Sequence, residues 1–193
     1  GVLGASGLFF FFFFYEAELF VLSSPLKKLP ESLKSLEPFF RDIQKRKNVE
    51  VELEWTFNRE WVDLGDWFSK SAYCRIKVDV AFLDVPRNTL VVRDYKTGRY
   101  YPYHDDQLSL YGLGGLAAMP SVDAVEVAGL YTESGEMIPS PAAVYKRADL
   151  PKLIKQWDKT VKPMLSDKRF APSPSSACRR CFCSKSKGGL CEF

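Results

Sequence analysis

The chain has 193 residues, 46% hydrophobic and 26% charged, with a formal net charge of +3. That is enough for one domain with a sizeable core, and the composition excludes a globally disordered or collagen-like chain. The small net charge hides an asymmetry: Lys146 to Lys187 holds twelve Lys/Arg against three Asp/Glu, whereas residues 1–145 hold fifteen against twenty. A basic C-terminal third on an acidic body suits a polyanionic partner, and a solvated helix face with a charged tail accounts for it equally well.

Six consecutive Phe open the first element, in "GLFFFFFFYEAELFVL", which reads as a helix over 8–21. Its apolar run is too short to span a bilayer and no basic segment precedes it, so no membrane association is expected. With no secretory signal the expected compartment is the reducing cytoplasm, where five cysteines are not read as a disulfide framework. Pro30-Glu31-Ser32 starts a second helix with Leu33, Leu36, Phe39 and Phe40 on one stripe. "VEVELEWTF" alternates as a strand with one wet face, "NREWVDLGDWFSKSA" is a Trp-containing loop or hairpin, and "YCRIKVDVAFLD" is a second strand. Pro86-Arg87-Asn88 is a turn into "TLVVRDYK", a strand apolar enough to be central. A helix over 104–118, a fourth strand "AVEVAGLYT", and a long basic helix "ADLPKLIKQWDKTVKPML", broken near Pro163, follow. This order predicts an α/β protein with one mixed sheet flanked by helices. The expected division is a domain over 1–170 with a cysteine-rich basic tail over 171–193.

Chemistry concentrates where the third strand ends. Asp94 and Lys96 are two apart and project from one face. Asp79 lies on the preceding strand and comes beside Asp94 if the strands pair about the Pro86 turn. Two neighbouring carboxylates repel unless one is protonated or a cation neutralises them, and a hard divalent ion such as Mg²⁺ or Mn²⁺ suits such oxygen donors. The Tyr95 carbonyl is a further donor. A metal held there would acidify a water and neutralise a phosphate under attack, with Lys96 placing the water or stabilising developing charge. Gln107 and Tyr111 stand one helical turn apart and can reach phosphate oxygens. The plainer readings are a surface ion pair for Asp94 and Lys96 and core packing for Tyr111. His104 reads as a helix-start residue near Asp105 and Asp106, and Cys74 as core.

The stretch "KVDVAFLD…LVVRDYKTG…QLSLYGL" resembles the PD-(D/E)XK nuclease superfamily, in its RecB-like branch of phage-type exonucleases. The likeness runs over 11–193, with its core at 75–113. It implies a restriction-endonuclease-like fold and an active site of Asp79, Asp94, Lys96, Gln107 and Tyr111. It also implies an N-terminal helix carrying a metal-binding His and a nearby acid. Tyr15 stands at the His position, a poor ligand at neutral pH, and Glu18 at the acid.

Cys178, Cys181, Cys183 and Cys191 form a C-x₂-C-x-C-x₇-C tail whose soft thiolates suit Zn²⁺ or a [4Fe–4S] cluster. The resemblance implies the cluster, with Cys178, Cys181 and Cys191 among its ligands, although no cysteine precedes the first helix as the family pattern requires. Arg179, Arg180 and Lys185 of the tail, and Arg99 and Tyr100 of "GRYYPYH", are candidate DNA contacts. The expected function is a metal-dependent deoxyribonuclease, an exonuclease serving recombination, repair or phage DNA processing. The sequence holds no Walker-A motif and hence no motor, so it would work alone, as an oligomer, or beside a helicase or single-strand annealing protein. The rival readings are a nuclease-fold DNA-binding module that no longer cuts and a small cysteine-ligated metal protein.

Overall fold

A computed structural model of the chain describes residues 31–169, 171 and 174–191, and the chain divides into two compact units, Gly1–Trp157 and Asp158–Phe193. The helix expected over 8–21, with Tyr15 and Glu18, lies outside the described residues.

A short 3₁₀ turn, Glu31–Leu36, runs into helix α1, Glu37–Gln44. Pro38 falls in the first turn, where its missing N–H leaves no bond unmade. Leu33, Leu36 and Phe40 of the predicted stripe are buried and Phe39 is half-buried, and Ile43 continues the buried face. Strands β1 (Val49–Phe57), β2 (Cys74–Asp84) and β3 (Thr89–Lys96) then form an antiparallel meander. Helix α2 (Tyr103–Ala118) carries the chain over to β4 (Ala124–Tyr131), which pairs with β3 in parallel. The sheet has five strands in sequential order, closed at its far edge by β5 (Met137–Lys146) antiparallel to β4.

β5 is absent from the sequence reading because Pro139 and Pro141 interrupt it. Proline cannot donate to a ladder, but at a sheet edge that donor faces away from the neighbouring strand. Helix α3 (Leu150–Ser166) runs through Pro163 and is not broken there. The proline falls in the last turn, so little helix remains beyond the missing bond.

The sheet separates two apolar layers. On one face, α2 and the start of α3 cover Trp55, Ile76, Val78, Val92, Val125 and Val127; on the other, the α1 segment covers Val80, Phe82, Val91 and Leu130. β2 changes face within its length. Ile76 and Val78 belong to the α2 side, Val80 and Phe82 to the α1 side, and Ala81 to the α2 side again. The alternation therefore slips by one residue around Asp79. Opposite it on β1, Glu52 has a φ of +53° and the paired register skips both residues. Such irregularities re-aim a side chain at the cost of a ladder bond.

Charges buried by this plan are paired. Arg93, in the middle of β3, donates to Glu126 at 2.5 Å; Glu126 also binds Arg87, which reaches Asp84 at 2.8 Å. Arg147, just after β5, donates to the Leu116, Met119 and Val122 carbonyls, satisfying acceptors at and beyond the C-terminus of α2.

Glycines set how closely α2 lies on the sheet. A Cβ at Gly115 would come within 2.9 Å of Leu90 and 3.0 Å of Val125. In an exposed helix Gly→Ala gains about 1 kcal/mol, whereas overpacking costs about 1–3 kcal/mol. Gly115→Ala is therefore expected to destabilise the fold by about 1 kcal/mol instead of stabilising it, read as a lower denaturant midpoint at unchanged slope.

Candidate active site

The antiparallel register of β2 and β3 pairs Val80 with Arg93. One step further along, it sets Asp79 against Asp94. Both strands therefore bring a carboxylate to the same point, as the spacing about the Pro86 turn predicts. Asp79 Oδ2 accepts the Tyr95 N–H at 2.6 Å. In an extended strand a residue's N–H and C=O project to the same side, so the Tyr95 carbonyl also faces β2. The Tyr95 ring turns to the opposite layer, against Phe39 and Phe40.

Asp94 is almost wholly buried, at 4% exposure, within a closed ring of contacts. Its Oδ2 faces the Lys96 ammonium at 2.5 Å. Lys96 donates to Gln107 Oε1. Gln107 Nε2 donates to the Tyr111 hydroxyl at 2.6 Å, and Tyr111 donates to Asp94 Oδ1 at 2.8 Å. Each member fixes the next, and the backbone of Lys96 is held by the Thr132 N–H on its carbonyl at 2.9 Å.

With both carboxylates ionised the site carries more negative charge than its protein partners balance. Burial, and then the charge of Asp94, push the Asp79 carboxyl up to about 8 despite the stabilising Tyr95 N–H. Burial and Asp94 push the Tyr111 phenol far up, so it remains a donor at any working pH.

A model of the PD-(D/E)XK nuclease superfamily matches residues 16–186. The chain belongs to the PD-(D/E)XK nuclease superfamily. Its five-stranded mixed sheet between helices is the arrangement that the strand and helix order predicts, and it is consistent with the restriction-endonuclease-like α/β fold that the resemblance implies. No curated protein matches the sequence. Among solved structures, the crystal structure of SSO0001 aligns at 18% identity and a TM-score of 0.37, over 80% of this chain and 65% of that one. The chain thus spans a little under two thirds of that protein.

In this PD-(D/E)XK chain the donor chemistry fits a hard divalent cation: two facing carboxylates with unbalanced charge, and a strand carbonyl on the same side. Among the described residues no three His, Cys, Asp or Glu side chains are grouped for a metal, so the Tyr95 carbonyl and water are the further oxygen donors offered. Cys178, Cys181, Cys183 and Cys191 form no disulfide, and among the described residues they make no group of three ligands for a metal; Cys178 accepts the Ser175 N–H. Arg179, Arg180 and Lys185 are exposed in that separate unit. Arg99 and Tyr100 belong to the first unit, where Arg99 donates to the Tyr101 hydroxyl and Tyr100 to Asp105.

His104 is more than a helix-start residue. It is buried, with Nδ1 receiving the Tyr101 N–H and lying 2.6 Å from the Tyr131 hydroxyl. Burial, and then the Lys96 charge, hold it below the usual histidine range. Tyr131 pairs with Lys96 across the parallel register of β3 and β4. No local motif signals this contact, because it depends on how those two strands align.

The raised Asp79 carboxyl fixes a sign. The folded state holds a proton there that the unfolded chain releases near pH 4, so this contribution to stability is full below about pH 4 and lost as pH rises through about 8. Asp79→Asn keeps an acceptor for the Tyr95 N–H without the charge. In EDTA it is expected to melt higher than the parent at pH 8 and level with it at pH 4. Mg²⁺ should raise the parent's melting temperature at pH 8 more than the variant's.

Proposed function

We propose that this chain is a Mg²⁺- or Mn²⁺-dependent deoxyribonuclease, acting as an exonuclease in DNA recombination, repair or phage DNA processing. The observation that carries the reading is the facing pair Asp79 and Asp94 with Lys96 and Gln107 locked beside them. Asp79, Asp94 and the Tyr95 carbonyl would hold the metal, with Glu18 a further candidate ligand. When bound, the metal supplies charge neutralisation at the phosphate and a more acidic water.

The remaining chemistry belongs to the chain. Asp94 is oriented by Tyr111 on one oxygen and Lys96 on the other. Lys96 donates to Gln107, and its ammonium would stabilise negative charge on the phosphoryl oxygens as the attacking oxygen arrives. The Tyr111 hydroxyl is already committed to Asp94, so its role is positional. The ring is preformed, so little reorganisation accompanies reaction. The exposed basic groups Arg179, Arg180 and Lys185, and the lysines of α3, supply sequence-independent phosphate affinity. A helicase or annealing protein, or further copies of the chain, would provide the processivity a domain without a motor lacks.

Digestion of end-labelled linear, circular and single-stranded DNA with Mg²⁺, Mn²⁺ or EDTA tests this reading. Metal-dependent loss of linear but not circular DNA supports an exonuclease, cleavage of circles points to an endonuclease, and binding without cleavage to a DNA-binding module. Asp94→Asn and Lys96→Ala are each expected to lower the cleavage rate about a hundredfold or more; near-parental turnover in either refutes the site. Replacing Lys152, Lys155, Lys159 and Lys162 with Gln should flatten the slope of log affinity against log salt.

A further inference from the structure

α2 carries its functional groups on one stripe. Tyr111 touches Asp94, and Gln107, one turn earlier, touches Lys96. One further turn toward the N-terminus, about 6 Å along the axis, stands Tyr103. The stripe therefore leads from the buried carboxylates out to the surface, and its last rung is an aromatic ring.

That ring belongs to an ordered aromatic group. Tyr103 is 66% exposed and stacks on Tyr101, itself 38% exposed, with centroids 5.5 Å apart and planes 12° from parallel. The Arg99 guanidinium lies 5.1 Å from the Tyr101 ring and its Nε binds the hydroxyl at 2.9 Å. Behind them, His104 meets the Tyr103 ring edge-on at 4.5 Å and is anchored to Tyr131, the residue paired with Lys96. Tyr100, as exposed as Tyr101, is tied to Asp105 and sets its edge against His104 and Tyr131, so it braces the group from the side. Core packing does not explain Tyr103, most of whose surface faces water, and its contacts with the Tyr101 and His104 rings reduce the side-chain freedom that a ligand would have to remove.

We infer that Tyr101 and Tyr103 form a stacking platform for unpaired bases, so that the substrate is single-stranded DNA or a single-stranded DNA end led along α2 into the carboxylate site. This deepens the nuclease reading and rests on it for the direction of the strand. Flat, fixed, exposed rings beside an arginine match the π-faces and phosphates of an unpaired strand, whereas paired bases are stacked on one another and present no free face.

The experiment separates the subsite from catalysis. Binding of a fluorescent thymidine 20-mer, of an abasic strand of equal phosphate number, and of a blunt duplex is measured by anisotropy in EDTA, for the parent, Tyr103→Ala and Tyr103→Phe. Loss of stacking on one base is expected to weaken the 20-mer about 5- to 100-fold in Tyr103→Ala. Tyr103→Phe, which keeps the ring, should bind within about twofold of the parent. The abasic strand should bind the parent and Tyr103→Ala alike and more weakly than the parent binds the 20-mer. Equal binding of the 20-mer by the parent and Tyr103→Ala, or an equal loss on the abasic strand, overturns the platform. If binding depends on Tyr103 as stated but no metal supports cleavage, the platform stands and the nuclease reading falls. If Mg²⁺-dependent cleavage occurs and Tyr103 is irrelevant to binding, the reverse holds.

Discussion

Two carboxylates forced together in a poorly hydrated place are the constraint around which this molecule is arranged. Left alone they repel, and one of them keeps a proton well into the neutral range. The surrounding structure does not remove that repulsion. It balances Asp94 with one ammonium and supplies Asp79 with one backbone N–H, which leaves Asp79 without a counter-ion when it ionises. Under the proposed nuclease reading a divalent cation would complete such a site, and without it the fold bears a local cost in stability.

Rigid scaffolding makes this tension tolerable. Asp79 sits where β2 switches face, so the strand can bury Val78 on one side and Val80 on the other and still point a carboxylate at β3. The closed circuit through Lys96, Gln107 and Tyr111 ties β3 to α2, and the parallel pairing of β3 with β4 places Tyr131 and Thr132 around the same strand end. Nearly every group at the site therefore comes from the continuous stretch between Asp79 and Thr132.

That locality explains what the sequence discloses. The apolar run into "DYK", the Pro86 turn and the helical spacing of Gln107 and Tyr111 are short-range patterns, and the geometry brings Asp79, Asp94, Lys96, Gln107 and Tyr111 together as those patterns imply. Other features are illegible for definite reasons. β5 hides behind Pro139 and Pro141, whose penalty disappears only at a sheet edge. Arg93 looks misplaced in an apolar strand until Glu126 is seen beside it, a partner supplied by the crossover. His104 reads only as a helix-start residue near Asp105 and Asp106 because its partner Tyr131 is far away in sequence. The cysteine spacing leaves a tail metal open, since a loop of this length can adopt many shapes with one cysteine pattern, and among the described residues the thiols make no group of three.

Arg147 carries a consequence of another kind. Its guanidinium grips the far end of α2, about two dozen ångströms along the helix axis from the end that bears Tyr103. Losing that grip would let the helix slide or roll, and a small roll is enough to part Gln107 from Lys96 while Asp79, Asp94 and Lys96 remain chemically intact. In a genetic screen such a lesion would masquerade as damage to the carboxylate site itself, and only a structure of the variant would expose it as a fault of alignment.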